Sequence, residues 1–200
     1  MAETAKHQAT YADIEALPEG VRGEIIYGAL YTHPRPTMRH NVVATSSGVE
    51  LSIPFQKGKG GPGGWIFVFE TEVKFGENLL VPDIAGWRKE RLTNYPETNW
   101  TSVRPDWVCE ATSPSTALRD RHFKRDIYAN AGVPHYWILD PRSRMLEVFE
   151  LEKGKWNLFG TFSAGNDVSA PPFESHSFPM DILWPLQEPE GFSEESLELL

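Results

Sequence analysis

Two acidic residues in apolar surroundings are the first candidates for chemistry in this sequence. Asp83 lies in the run LLVPDIAGW and Glu110 lies in DWVCEAT, and both runs are typical of strands. Most acids near strand ends are independent surface residues, but an unpaired charge inside an apolar run is costly. If the two strands pair antiparallel, the start of one lies beside the end of the other. The two carboxylates are then expected to meet at one edge of a sheet.

A lysine on the next element would complete a site for phosphate chemistry. Lys124 lies on a helix predicted from Ser113-Pro114 to about Ala131, directly after the strand of Glu110. Carboxylate oxygens are the ligands that Mg²⁺ prefers, and the bound ion can activate a water. A cation can stabilise the charge that develops on a phosphate. The combination indicates metal-dependent hydrolysis of a phosphodiester.

The predicted helix carries further candidates for substrate contact. Arg121, Lys124 and Arg125 have a spacing that allows them to share one face of a helix. A solvated basic face is the common alternative for such a group. Tyr128 continues the same face, and we expect it to serve mainly in packing.

Two other reactive residues near Glu110 are predicted to be structural. Asp106 belongs to a second Pro-Asp pair, but four residues along a strand separate it from Glu110 by about 13 Å, at roughly 3.3 Å per residue. That distance is too long for direct binding to one ion, so a role at the strand start is expected. Cys109 alternates away from Glu110 and should lie in the core. As the single cysteine, it excludes an internal disulfide and a cysteine-based zinc site.

The elements that must position these residues form an order of strands, helix and strands. Strand candidates are GEIIYGALYTH, WIFVFETEVKF, LLVPDIAGW, DWVCEAT, HYWILD, MLEVFELE and KWNLFGTFS. A further helix is predicted from about residue 39 to 51. The helix between DWVCEAT and HYWILD permits a parallel pair, and the other connections suit antiparallel hairpins. We therefore predict an α/β fold, with a mixed, α+β-like sheet flanked by helices.

Composition bounds the organisation and the setting of the protein. The 200 residues suit a single domain over residues 1–186, followed by an acidic, flexible tail over 187–200. The sequence has neither an apolar run long enough for a transmembrane helix nor a secretory signal, so a cytoplasmic location is expected. The net charge of −9 argues against a protein that coats nucleic acid, but a carboxylate metal site is itself acidic until the ion binds.

Several motifs together resemble one known family. They are GEIIYGAL, the segment 34–40, VPDIA, VCEATSPST and DRHFKRDIYANAGVPHYWILDP, and the resemblance spans about residues 10–185. The sequence is similar to the Uma2 family of restriction endonucleases, within the PD-(D/E)XK nuclease superfamily. The resemblance implies a restriction-endonuclease-like fold, Mg²⁺ (with Mn²⁺ as a possible substitute) and cleavage of DNA.

The resemblance also implies roles for individual residues. Asp83 would be the acid of the Pro-Asp motif and Glu110 the acid of the second motif. Thr112 stands where the superfamily places its lysine, and the family supplies the lysine from the following helix, here Lys124. Glu24 is implied as a further acid of the site. His40 is implied as a residue for substrate contact or water positioning, although a lone histidine is more often structural.

Three functions remain open on this evidence. The first is a Mg²⁺-dependent DNA endonuclease. The second is a catalytically silent module on the same fold that binds nucleic acid or a protein partner, since fold alone does not determine function. The third is an enzyme for another phosphate or nucleotide substrate. Cleavage of both DNA strands by a domain with one site would suggest a homodimer, whereas nicking needs only a monomer.

Overall fold

A computed structural model describes residues 8–33, 35–113 and 117–186. Within those ranges the strands are β1 (Arg22–Ile26), β2 (Ala29–His33), β3 (Trp65–Phe69), β4 (Glu72–Phe75), β5 (Asn78–Leu80), β6 (Ile84–Arg88), β7 (Trp100–Thr101), β8 (Trp107–Ala111), β9 (His135–Asp140), β10 (Met145–Glu152), β11 (Lys155–Phe162), β12 (Asp167–Val168) and β13 (Phe178–Pro179). The acidic tail predicted over 187–200 lies outside the described residues.

Helices join and cover these strands. They are α1 (Tyr11–Glu15), α2 (Met38–Leu51) with a π-helical turn at Ser52–Gln56, a π-helical turn at Arg119–Lys124 that runs into α3 (Arg125–Asn130), and a 3₁₀ turn at Met180–Leu183. The hydroxyl of Thr37 caps α2 by accepting a hydrogen bond from the His40 amide, at 3.3 Å. In the described part of the chain, no helix has the length and apolarity that crossing a bilayer would require.

The helix predicted from Ser113 to about Ala131 is present in a modified form. The Ser113 carbonyl accepts a hydrogen bond from the Ala117 amide at 2.8 Å. Residues 114–116, including Pro114 and Ser115 of the predicted helix start, lie outside the described residues. The helix ends as expected at Gly132, which has a φ of 73°. The unexpected part is the π-helical turn, which contains Lys124.

The strands form a mixed arrangement, as the sequence predicts. The larger sheet has the order β11-β10-β9-β8-β6-β3, the smaller sheet has the order β2-β1-β5-β4-β7, and β12 pairs with β13. β8 and β9 are parallel, with the helix of Lys124 in the connection between them. β6 and β8 are antiparallel, which is the pairing that the convergence of the two acids requires.

Two of the predicted strands are each divided between the two sheets. WIFVFETEVKF forms β3 in the larger sheet and β4 in the smaller one, and LLVPDIAGW forms β5 and β6 in the same way. Glu70 turns the chain between β3 and β4 with a φ of 47°, in the left-handed region that few residues adopt. Pro82, which has no amide hydrogen to donate to a ladder, lies between β5 and β6. Asp83 therefore lies directly before β6, where the chain enters the larger sheet again.

The core has one layer on each face of the larger sheet. One layer includes Trp65, Phe67, Trp107, Cys109, Trp137 and Phe173, and the other includes Trp87, Val108, Ile127, Tyr128, Tyr136 and Ile138. Successive side chains of a strand point to opposite faces, so Trp107 and Cys109 lie on one face of β8, and Val108 and Glu110 lie on the other. Cys109 is buried, as predicted.

Candidate active site

Asp83 and Glu110 occupy neighbouring positions on paired strands. Ile84 of β6 is the partner of Cys109 of β8, and the two acids lie one residue beyond this pair. Asp83 Oδ2 accepts a hydrogen bond from the Ala111 amide at 2.7 Å, so its carboxylate lies against the main chain next to Glu110. The structure thus brings together the two acids that the sequence singles out.

Lys124 lies at the centre of a group of buried carboxylates. Its Nζ is 2.9 Å from Glu24 Oε1, 3.1 Å from Glu110 Oε1 and 3.4 Å from Asp120 Oδ1. The lysine side chain is only 4% exposed, and the three acidic side chains are equally buried. We call these four residues the lysine cluster. The helix that follows β8 therefore does deliver its lysine to Glu110.

The lysine cluster contains more negative than positive charge. Burial raises the pKa of Glu110 well above its usual value, and the nearby lysine only partly opposes this effect. Burial by itself would lower the pKa of Lys124, but its attraction to Glu110, Glu24 and Asp120 outweighs that effect and raises the pKa well above the ordinary value. Lys124 is thus a fixed cation, and the surrounding carboxylates favour the approach of a further cation or proton.

Glu24 connects the lysine cluster to the segment that carries Asp83. It lies on β1 of the smaller sheet and is completely buried. Its Oε1 accepts a hydrogen bond from the Val81 amide at 2.7 Å and also contacts Lys124. This acid thereby ties β1, the crossing between the two sheets and the helix of Lys124 to one another.

Tyr128 has a more specific position than the packing role that the sequence predicts. It is buried against Phe75 and Tyr136, as expected of a packing residue. Its hydroxyl, however, also donates a hydrogen bond of 2.6 Å to Glu110 Oε1. The contacts of Tyr128 and Lys124 fall on the same oxygen of Glu110, so Oε2 is the oxygen that neither of them engages.

His40 contacts the other acid. Its Nε2 lies 3.1 Å from Asp83 Oδ1, and its side chain is 11% exposed. Burial acts to lower the pKa of His40, but the hydrogen bond and charge of Asp83 outweigh it, and the net shift is upward. The two residues also line a cleft of about 650 Å³ that opens to solvent beside Asp83. His40 is thus placed where a ligand of Asp83 would approach.

Asp120 is the member of the lysine cluster that sequence reasoning missed. It precedes Lys124 by four residues, and Tyr128 follows by four, so the three side chains recur at one spacing. That spacing, within the segment that resembles the family, was the available signal. The spacing alone does not single out Asp120, because an acid on a helix is ordinarily solvated.

The two arginines of the same helix are directed elsewhere. Arg121 forms an ion pair with Glu147 of β10. The Arg125 guanidinium lies 4.6 Å from the centre of the Phe149 ring, also on β10. The prediction that they share a face with Lys124 is wrong because the π-helical turn, with its i→i+5 bonds, changes the direction of successive side chains.

Asp106 and Thr112, the other polar residues discussed near Glu110, have structural contacts. Asp106 accepts a hydrogen bond from the Arg88 amide at 2.9 Å and forms an ion pair with Arg91. The predicted role at the start of the strand is therefore confirmed. Thr112 is buried, and its hydroxyl and amide both donate to the Leu139 carbonyl. It extends the ladder with β9 rather than contributing to the lysine cluster.

The donor set fits a hard divalent cation. Asp83 and Glu110 offer carboxylate oxygens, and Mg²⁺ is commonly held by one or two carboxylates, with waters and substrate phosphate oxygens completing the shell. In the ranges that the structure describes, no group of three or more acidic, histidine or cysteine side chains has the arrangement of a metal cage. A divalent ion held here by Asp83 and Glu110 would need waters or substrate oxygens to complete its shell.

Comparison with known proteins identifies the family. The Uma2 family, described as "Putative restriction endonuclease", matches residues 9–181, and the chain belongs to this family. A crystal structure of "a putative nuclease belonging to DUF820" from Anabaena variabilis superposes with a TM-score of 0.70 at 20% identity, covering 88% of this chain and 97% of that one. The restriction-endonuclease-like fold expected from the sequence is confirmed. No curated protein matches the chain.

Proposed function

We propose that this protein is a Mg²⁺-dependent endonuclease that hydrolyses DNA phosphodiester bonds. The observation that carries the proposal is the buried ammonium of Lys124, 3.1 Å from Glu110, with Asp83 one residue beyond the pair that joins β6 and β8. A buried salt bridge contributes little to the stability of a fold, because the cost of desolvating the charges offsets much of their attraction. A buried cluster of charges next to Asp83, which itself lines an open cleft, is better explained by chemistry on a charged substrate.

Asp83 and Glu110 would hold the metal through carboxylate oxygens. Tyr128 and Lys124 both engage Oε1 of Glu110, so they would fix the orientation of the carboxylate and leave Oε2 for the metal. The Ala111 amide fixes Asp83 in the same way. When bound, Mg²⁺ would neutralise charge on the phosphate and lower the pKa of a coordinated water.

Lys124 would act on the reacting phosphate itself. It stays protonated because its pKa is raised, so it serves as a hydrogen-bond donor and cation, not as a base. Its ammonium would orient the attacking water or stabilise charge as it develops on the phosphate oxygens. Glu24 and Asp120 would hold the ammonium in place through their contacts with it. His40 would contact the substrate or position water from the cleft.

Plasmid cleavage tests the proposal. Supercoiled plasmid is incubated with the protein and Mg²⁺, beside the variants Asp83→Asn and Glu110→Gln. Asp167→Asn on β12, an exposed acid outside the lysine cluster, serves as the matched control. We expect nicking by wild type and control, and a loss on the order of 100- to 1,000-fold in the two site variants. Equal nicking by all four proteins would show that the activity does not come from this site.

A catalytically silent module is the second candidate, and one observation favours it. Asp83 and Glu110 are already engaged by His40, Ala111, Tyr128 and Lys124, so contacts within the protein account for the orientation of both acids. Such a protein would bind nucleic acid with the usual dependence on salt but would leave plasmid intact with either Mg²⁺ or Mn²⁺. The plasmid assay therefore separates the two candidates.

A further inference from the structure

The cleft beside Asp83 has two unlike walls. One wall is the face of α2 that carries His40, Asn41, Ala44 and Thr45, and the other includes Phe69 at the end of β3. The volume of about 650 Å³ lies within the range of roughly 300–1,000 Å³ that is usual for sites of small ligands. The cleft is thus large enough for a single nucleotide. Asp83, the candidate metal ligand, forms part of its lining.

Phe69 is a partly exposed aromatic ring that packs against Gly48 of α2. Its side chain is 43% exposed although it lies beside the candidate site. A Cβ at Gly48 of α2 would lie 2.0 Å from Phe69 Cζ, so the ring fits only because residue 48 has no side chain. Glycine inside a helix costs about 1 kcal/mol relative to alanine. The fold thus accepts an unfavourable residue and gains an aromatic ring fixed at the cleft.

Phe69 and Asp83 are held in register by the backbone. Phe69 pairs with Ile84, and the amide of Glu70 donates to the Asp83 carbonyl at 3.1 Å. A base stacked on Phe69 would therefore have a fixed distance to the metal ligand. This arrangement would align a bound nucleotide with the reacting groups.

Cations at the cleft suit a phosphate backbone. Arg22 at the start of β1 and Arg35 both line the cleft, and the guanidinium of Arg22 forms an ion pair with Glu70. Two arginines can contact only a few phosphates. The net charge of −9 provides little general attraction for a duplex. Binding of a single strand depends on aromatic stacking as well as charge, which is the combination that the cleft offers.

We infer that this cleft binds an unpaired nucleotide of single-stranded DNA, with the base stacked on Phe69 and the phosphate near Arg35 and Asp83. The inference deepens the proposed nuclease function and rests on it for the reaction, though not for the binding. A base within B-form DNA is stacked on both faces and cannot enter a concave cleft unless it leaves the helix. Single strands, frayed ends and distorted sites are therefore the expected substrates.

Binding by fluorescence anisotropy tests this inference. A fluorescein-labelled 20-nucleotide DNA strand and the corresponding duplex are titrated with the protein in EDTA, so that no strand is cut. We expect the single strand to bind at least about tenfold more tightly than the duplex. Stacking contributes about 1–3 kcal/mol per base, so Phe69→Leu should weaken single-strand binding by about 5- to 150-fold.

Matched variants separate stacking from damage to the fold. Phe69→Leu keeps apolar bulk against Gly48, so a loss of binding in this variant reports the loss of the ring. Phe159→Leu removes another half-exposed ring, on β11, and should leave binding unchanged. Arg35→Gln should reduce the slope of log affinity against log salt by about 0.7, the share of one phosphate contact with a single strand.

The outcomes distinguish this inference from the proposed function. Single-strand binding that depends on Phe69, without any cleavage in Mg²⁺, would support the cleft and overturn the nuclease proposal. Cleavage that depends on Glu110, with Phe69→Leu binding the strand as tightly as wild type, would support the nuclease and overturn the inference. Duplex binding as tight as single-strand binding would also overturn it.

Discussion

The two faces of β8 bury very different side chains within five residues. On one face, Trp107 contacts Phe67, Trp137 and Phe173 with ring centres 5.2–5.7 Å apart. On the other face, Glu110 contacts the ammonium of Lys124 and the hydroxyl of Tyr128. Both environments exclude water. Burying the aromatic rings is favourable by itself, whereas burying Glu110 is costly unless an opposite charge or a hydrogen-bond donor accompanies it.

The difference indicates a division of labour across one strand. Aromatic packing on the first face stabilises the sheet by burying large apolar area and by edge-to-face ring contacts. The charges on the second face contribute little net stability, because removing ions from water costs several kcal/mol each. The first face therefore sets the position of the strand, and we propose that the second uses this position for chemistry.

Trp107→Ala should have the largest effect, and the effect should be on stability. Truncating this completely buried ring leaves a cavity, so we expect the free energy of unfolding to fall by about 3–5 kcal/mol in urea denaturation. The cleavage rate per folded molecule should stay near that of wild type, since Trp107 lies on the other face from Glu110. A rate loss that persists at temperatures where the variant is fully folded would contradict the division.

Tyr128→Phe should have an intermediate effect, and it should lower both the cleavage rate and the stability. It removes one hydrogen bond to Glu110 Oε1 and leaves the ring packed against Phe75 and Tyr136. We expect a cleavage rate about 10- to 100-fold lower, as for other residues that orient a metal ligand, and a stability loss of about 1–3 kcal/mol.

Tyr136→Phe is the matched control for that prediction. The hydroxyl of Tyr136 is also buried, but it donates to the Asp120 main-chain carbonyl at 3.0 Å instead of to a carboxylate. Stability should fall similarly while the cleavage rate holds. Equal rate losses in both variants would mean that the hydroxyl of Tyr128 has no special connection with Glu110.

The smallest effect should be a dependence of metal-free stability on pH. The pKa of Glu110 is higher in the folded protein than its ordinary value of 4.5, so folding favours the protonated form. Its contribution is fully present below about pH 4.5 and is lost as pH rises through the folded pKa, by at most about 1.4 kcal/mol per pH unit.

Comparison with Glu110→Gln isolates this effect, because the amide does not titrate. The stability of wild type minus that of the variant should decrease as pH rises above about 4.5, and Mg²⁺ should restore it at neutral pH. Lys124 does not confuse the measurement, since its raised pKa lies above this window. A stability difference that grows with pH in the absence of metal would contradict the upward shift.

The sequence predicts the long-range convergence of the acids better than the local path of the chain. The juxtaposition of Asp83 and Glu110 follows from two strands, their order and the geometry of antiparallel pairing. The division of WIFVFETEVKF and LLVPDIAGW between two sheets does not follow, because a continuous apolar pattern is the same whichever sheet the strand joins. The turn at Glu70 with positive φ has no mark of its own in the sequence.

The helix illustrates the same limit at the site. Regular helical spacing puts Arg121 and Arg125 beside Lys124, but the π-helical turn sends them to β10. The burial of Asp120 depends on the smaller sheet, since Glu24 and Lys124 share the same enclosed space. Such contacts arise from tertiary packing, and spacing along one helix indicates only which residues are available for them.

The most direct test of the central claim is anomalous diffraction from crystals soaked in Mn²⁺. The account predicts an anomalous peak for a Mn²⁺ ion coordinated by carboxylate oxygens of Asp83 and Glu110. The metal–oxygen distances should be about 2.0–2.2 Å, near those typical of Mg²⁺. Crystals of Glu110→Gln should lack the peak while retaining the fold. An ion bound elsewhere, or a peak unchanged by that substitution, would contradict the claim that these two acids form the metal site beside Lys124.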